Sequence, residues 1–161
     1  MLSLTERDIR GSFVNASRKE VSVLGLPPGF ADLDFTRLDY LGWYDPKYPR
    51  RAYIVTEGEE GLRGVLMQRT EQSVQSRAQC SWCEDVTLRN DVQFFAARKA
   101  GAAGRNGDTV GTLACAEFGC SANVRLLPAL AYEGFDREAA RLRRIERLQE
   151  NVRAFAAAVV G

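Results

Sequence analysis

The sequence contains no histidine among its 161 residues. Histidine is the usual proton carrier near neutral pH, the base of Ser-His-Asp and Cys-His catalytic sites, and a common metal ligand. Its absence excludes those catalytic sites and every metal site that contains histidine. Most hydrolase mechanisms are therefore ruled out, and we expect a binding protein rather than an enzyme.

The sequence also lacks a long apolar run and an excess of charge of either sign. No window approaches the ~18 consecutive apolar residues that a membrane-spanning helix needs, and the N-terminus does not have the pattern of a signal peptide. The 22 basic and 21 acidic side chains nearly cancel, so the molecule as a whole favours neither nucleic acid nor an acidic membrane. We expect a cytoplasmic protein with no membrane partner and no small-molecule substrate.

The length fits a single domain, with a helical and loop region (residues 1–50) packed on the rest of the chain (51–161). Capping-box patterns that start at Thr5 and Ser17 predict two short helices, because in each a carboxylate follows three residues after the hydroxyl. Residues 30–50 are rich in aspartate and turn residues, which indicates a loop.

Four β-rich runs predict an antiparallel sheet of four or five strands: 52–56, 62–67, 92–97 and 109–113, with 86–88 as a further β-like run. Between the last two strands, 98–107 is predicted to be a basic loop of small residues. From Asp136, apolar residues recur every three or four positions and predict one long helix: Leu142, Ile145, Leu148, Val152, Phe155 and Val159. The fold class is therefore α+β, with short N-terminal helices and a long C-terminal helix flanking an antiparallel sheet.

The four cysteines form two closely spaced pairs, Cys80 with Cys83 and Cys115 with Cys120. Two such pairs on separate elements can supply four thiolates to a tetrahedral zinc ion, which would then be structural, because a closed site has no open position for water. Two alternatives are redox or disulfide pairing and unrelated buried thiols. An iron–sulfur cluster is possible in principle, but the paired spacing favours zinc.

Several other side chains are candidates for binding or for structural roles. Trp82 either anchors a protein partner from within the cysteine turn or packs over the metal site. Arg98, Lys99 and Arg105 either contact RNA phosphates or an acidic protein face, or form a solvated hairpin tip. The arginine-rich face of the C-terminal helix has the same two interpretations. We expect Trp43 and Tyr44 to lie in the core. The spacing of Asp32, Asp34 and Asp39 matches no calcium-binding loop, so we expect these carboxylates to lie at the surface.

Taken in order, these features resemble the elongation factor G-binding proteins, including the FusB-type fusidic acid resistance proteins, in their C-terminal treble-clef zinc-finger domain. The resemblance spans about residues 4–160. The motifs that carry it are Leu41-Gly42-Trp43 followed by Asp45, the hairpin that ends near Gly64, Cys80-x-x-Cys83, Gly111-Thr112-Leu113-Ala114-Cys115, and Cys120.

The resemblance implies a treble-clef-like zinc site and a non-enzymatic translation factor that engages elongation factor G at the ribosome and promotes its release. In the resistance proteins, a zinc-finger aromatic residue and a lysine and tyrosine shortly before the third cysteine contribute to binding. Trp82 is the matching aromatic residue, whereas residues 108–113 include neither lysine nor tyrosine. The second function that we consider is a zinc-ribbon-like module that binds RNA or the ribosome through the basic loop and the arginine-rich helix.

Overall fold

A computed structural model describes residues 1–70, 78–86 and 91–161. Within them, five strands form one sheet in which each strand lies antiparallel to the next in chain order. The strands are β1 (Leu41–Tyr44), β2 (Arg51–Gly58), β3 (Gly61–Arg69), β4 (Val92–Arg98) and β5 (Thr109–Cys115). The four main strand predictions are confirmed by β2 to β5.

The remaining strand of the sheet, β1, is formed by residues that the sequence analysis assigned to a loop. Leu41 pairs with Val55 and Trp43 with Tyr53, so a segment of only four residues adds to the edge of β2. The segment is short and turn residues flank it, so its sequence does not show the alternating pattern that predicts a strand. Of the further β-like run 86–88, Val86 lies in a bend, and the other two residues lie outside the described part of the chain.

Five α-helices occur within the described residues: α1 (Glu6–Ser12), α2 (Arg18–Ser22), α3 (Gly101–Arg105), α4 (Cys120–Arg125) and α5 (Arg137–Val160). Both predicted capping boxes are present, at Thr5 for α1 and Ser17 for α2, and Asp136 caps α5 as expected. The predicted basic loop contains α3, and Gly104 permits its turn. A Cβ atom at Gly104 would lie 1.7 Å from the carbonyl oxygen of Lys99.

The sheet is covered on both faces, which accounts for the almost uninterrupted burial of β2. Ile54 and Met67 pack with α5 and the cysteines on one face. Tyr53 and Leu66 pack with the N-terminal segment on the other. The predicted arrangement of N-terminal helices and a C-terminal helix around the sheet is confirmed. No helix among the described residues is long and apolar enough to cross a membrane.

The first turns of α5 differ from the predicted apolar stripe, since Leu142 is 54% exposed. This part of the helix lies beside residues that follow α4. Arg137 Nε donates to the carbonyl oxygen of Pro128 at 2.7 Å, and Arg144 donates to that of Leu126 at 3.3 Å. The helix side chains that reach this segment are arginines, whose guanidinium groups donate to its backbone carbonyl oxygens.

Asp45 and Asp39 fix the segment before β2. The Asp45 carboxylate accepts hydrogen bonds from the backbone N–H groups of Lys47 and Tyr48 and, at 2.5 Å, from the Tyr53 hydroxyl. Burial raises the pKa of Asp45, but these hydrogen bonds outweigh it and hold the pKa below its ordinary value.

The prediction that Asp39 lies at the surface is wrong. Asp39 is buried and forms an ion pair with Arg125 of α4, and it also accepts a hydrogen bond from Gln149 of α5 at 2.9 Å. A buried carboxylate is stable where cations and donors surround it. Here it joins the segment before β1 to two helices.

Candidate metal centre

Two backbone turns present the four cysteines to one another. Cys80 and Cys83 lie on the first turn, which is fixed to the sheet by a hydrogen bond from the Ser81 N–H to the Leu113 carbonyl oxygen of β5 at 2.8 Å. Cys115 ends β5 and Cys120 begins α4. The second turn therefore connects the sheet to a helix, and the two turns face each other.

The four sulfur atoms are buried and all lie within 4.8 Å of one another. The distance is 3.7 Å for both Cys80–Cys120 and Cys83–Cys115. A disulfide would require about 2.05 Å. Four thiolates around one ion at about 2.3 Å form a tetrahedron with edges of about 3.8 Å. The geometry therefore fits a single metal ion with four sulfur ligands.

Each turn contains a residue with positive φ, which is uncommon for residues other than glycine. These are Glu84 (φ 51°) and Phe118 (φ 52°). The Glu84 N–H donates to the Cys80 carbonyl oxygen at 3.0 Å, and the Phe118 N–H donates to that of Cys115 at the same distance. These tight turns direct both sulfur atoms of each pair to one point.

Hydrogen-bond donors also reach the sulfur atoms from outside the ligand set. The backbone N–H of Trp82 lies 3.4 Å from the sulfur of Cys80, and Asn123 Nδ2 of α4 lies 3.6 Å from that of Cys115. Such donors stabilise thiolate charge and orient the ligands. These donors therefore favour ionised thiolates over neutral thiols at the site.

Mutual hydrogen bonds and burial shift the pKa values of the four thiols in different directions. Hydrogen bonds from Cys115 and Cys120 lower the pKa of Cys80 far below its ordinary value and that of Cys83 to about 7. The pKa of Cys120 is raised well above its ordinary value by its interactions with Cys115 and Cys80 and by burial. Full ionisation of four adjacent thiols requires a cation among them. The four sulfur atoms can therefore all act as thiolate ligands only when a metal ion is bound among them.

Trp82 lies in the core, with 1% of its surface exposed. Its ring packs edge-on against Tyr40, with ring centroids 5.2 Å apart, and at a tilt against Phe155 of α5, with centroids 5.7 Å apart. The expectation that Trp82 anchors a partner is wrong for the folded protein, because the side chain has no accessible surface to offer. Its position supports the other interpretation, that Trp82 packs over the metal site.

The predicted cationic residues occupy the end of the β4–β5 hairpin, away from the cysteines. Arg98 is exposed and pairs with Glu20 of α2 at 2.9 Å. Lys99 lies two residues before α3 and Arg105 is the last residue of α3, and neither forms an ion pair within the described residues. Arg98 and Arg105 are exposed and Lys99 is half-buried, and binding of a partner by these three side chains stays a prediction.

An exposed apolar surface beside the metal site was missed by the sequence analysis. Its large side chains are between 46% and 68% exposed: Val86, Leu126, Leu127, Leu130 and Tyr132. A groove of about 340 Å³ is lined by Val86, Leu126, Leu127 and Pro128, with Asp85 and Arg144 beside them. We call these five exposed side chains the apolar surface. The seven-residue stretch 126–132 contains no polar residue other than tyrosine and could have indicated it.

Comparison with known proteins identifies the fold. No curated protein matches the chain. The family model described as the FBP C-terminal treble-clef zinc-finger matches residues 8–159, which include all five strands, all four cysteines and nearly all of α5. The antiparallel sheet, the cysteine turns and the long C-terminal helix are therefore those of a treble-clef domain, and the chain belongs to the FBP C-terminal treble-clef zinc-finger family.

Proposed function

We propose that this protein binds elongation factor G and that zinc on its four cysteines maintains the fold that does so. The observation that carries the proposal is the family match over residues 8–159, since the resemblance to this family implies elongation factor G as the partner. The absence of histidine supports a role in binding rather than in catalysis.

Zinc is the metal that the site favours. Four thiolates in a tetrahedral arrangement suit zinc or an iron–sulfur cluster, and sulfur–sulfur distances of 3.7 Å correspond to one ion rather than to a larger cluster. All four ligands are buried, so no open position remains for water. We infer a structural role in which the ion holds β5, α4 and the first cysteine turn together.

The apolar surface is the part of the molecule that we assign to the contact with elongation factor G. Single exposed apolar side chains are common, but a group of them at a groove is a mark of interaction sites, and Val86, Leu126 and Leu127 line the groove here. The apolar surface supplies the apolar anchor that the sequence analysis attributed to Trp82. Leu126 and Leu127 directly follow α4, which begins at the fourth cysteine, so loss of the metal would also disturb this surface.

The backbone that carries the apolar surface is held in place before any partner arrives. Arg137 and Arg144 donate to carbonyl oxygens of residues 128 and 126, and Arg144 also forms an ion pair with the buried carboxylate of Asp85. A surface that is already ordered loses less conformational entropy on binding. These arginines therefore have structural roles and are less available for RNA than the sequence analysis allowed.

The experiment measures binding of elongation factor G from the same organism to immobilised, zinc-loaded protein. The test variant is Leu127→Ser/Leu130→Ser, and the control variant Leu2→Ser/Val23→Ser removes two exposed apolar side chains far along the chain. We expect the test variant to bind at least about tenfold more weakly, because truncation of central apolar anchors costs ~1–2 kcal/mol or more. The control should bind like the wild type.

Equal binding by both variants would refute the assignment of the surface, and absence of wild-type binding would refute the function itself. Zinc content and melting temperature, measured on every variant, show that the fold is intact.

Release of elongation factor G from the ribosome is the consequence that we propose for this binding in the cytoplasm. A protein that holds the factor competes with the contacts that retain it on the ribosome. Co-sedimentation measures this directly, because added protein should move elongation factor G from the ribosomal pellet to the supernatant. A factor that stays in the pellet while binding is intact would refute release but leave binding standing.

A further inference from the structure

A small cleft lies at the opposite end of the β4–β5 hairpin from the cysteines, between the start of α2 and the turn into α3. Its volume is about 280 Å³. One wall is formed by residues 14–17 and Glu20, and the other by Arg98, Lys99 and Arg105, with Gly101 and Gly104 between them. We call this the cationic cleft. It is separate from the apolar surface to which we assign elongation factor G.

In addition to the Arg98–Glu20 ion pair, the side chain of Asn15 ties the first wall of the cleft to the backbone of the second. Its Nδ2 atom donates to the carbonyl oxygens of Leu66 at 2.9 Å and Arg98 at 2.8 Å, while its Oδ1 atom accepts from the Leu66 N–H at 2.9 Å. An amide with three of its hydrogen-bonding positions used is fixed in orientation. The cleft is therefore built into the fold and does not depend on a loose hairpin end.

The charge of the cleft is not balanced. Arg98 is paired with Glu20, whose other carboxylate oxygen accepts from the Ser17 hydroxyl at 2.7 Å and its backbone N–H at 2.8 Å. Lys99 and Arg105 have no ionic partner in the part of the chain that the structure describes. Three cations and one anion therefore line a single cleft.

We propose that the cationic cleft binds a phosphate group. Its volume lies at the lower limit of the ~300–1,000 Å³ of small-molecule sites, which fits an anionic group better than a whole cofactor. An ammonium and two guanidinium groups supply the charge-assisted hydrogen bonds that phosphate oxygens accept. The group is either a backbone phosphate of RNA or a free phosphate, and the two sources can be separated by experiment.

The first arm measures anisotropy of a labelled single-stranded RNA of mixed sequence over a series of NaCl concentrations. The test variant Lys99→Gln/Arg105→Gln is compared with Arg143→Gln/Arg153→Gln, which removes the same charge from exposed positions of α5. We expect the test variant to bind several-fold more weakly. The slope of log K against log salt should fall by about 1 to 1.5, as expected for two lost contacts at ~0.7 each. The control slope should remain close to that of the wild type.

A third variant, Glu20→Gln, has the opposite expected sign. Glutamine keeps the capping interaction with Ser17 but removes the negative charge beside Arg98, so binding should become tighter. A loss of folding or of the α2 cap could not produce this gain.

The second arm titrates inorganic phosphate into wild type and test variant by calorimetry. Binding of RNA that is sensitive to the test variant identifies RNA as the source. Binding of inorganic phosphate alone, with the same sensitivity, identifies a free phosphate. Absence of both, or equal weakening in the test and α5 variants, would overturn the proposal. None of these outcomes depends on elongation factor G.

Discussion

Replacement of Trp82 by alanine tests whether this residue belongs to the core or to an interface. The indole is buried to 1% exposure and packs against the rings of Tyr40 and Phe155. Loss of a buried tryptophan costs ~3–5 kcal/mol, because apolar burial is lost and a cavity remains. For a domain whose total stability is ~5–15 kcal/mol, this is about a fifth of the stability or more.

The assay is urea unfolding of zinc-loaded protein, followed by far-UV circular dichroism. The matched control is Tyr132→Ala, an exposed aromatic residue whose removal should change the free energy of unfolding by no more than about 0.5 kcal/mol. If Trp82→Ala cost less than about 1 kcal/mol while binding to elongation factor G disappeared, Trp82 would be a contact residue. The placement of this ring in the core would then be refuted.

Three other changes have definite expected outcomes. Asn123→Ala removes the donor to the Cys115 sulfur and should weaken zinc affinity by ~10–100-fold in a chelator competition; unchanged affinity would contradict this role. Asp45→Asn should lower the free energy of unfolding at pH 7. This difference should shrink as the pH falls below about 4 and vanish once the pH is below the lowered pKa of Asp45, because the carboxylate stabilises the fold only while it is ionised; a loss that is constant with pH would refute this. Gly104→Ala should destabilise the fold by ~1–3 kcal/mol, because the added Cβ atom would crowd the backbone of Lys99. Gly11→Ala, which adds a Cβ atom in open space on α1, should instead stabilise the fold by ~0.5–1 kcal/mol. Thermal melts of the two variants measure this difference.

The features that sequence reasoning found are those with strong local signals. The capping boxes at Thr5 and Ser17 fix their helices through hydrogen bonds three residues apart, and both are present. The cysteine pairs are equally local, because each turn closes within six residues. The metal ligands could therefore be named without knowledge of the fold.

The features that it missed depend on partners far along the chain. β1 is a strand because β2 pairs with it, and Asp39 is buried because Arg125 and Gln149 approach from two later helices. The sequence leaves two interpretations of Trp82, because nothing in the cysteine turn shows that Phe155, 73 positions later, covers its ring. Tertiary packing decides such positions, and a local pattern does not contain it.

A calorimetric titration at two salt concentrations tests most directly whether the domain binds elongation factor G. Elongation factor G from the same organism is titrated into the zinc-loaded protein. We expect saturable micromolar or tighter binding that changes little with salt, because the assigned contact is apolar. No binding at either salt concentration would contradict the claim.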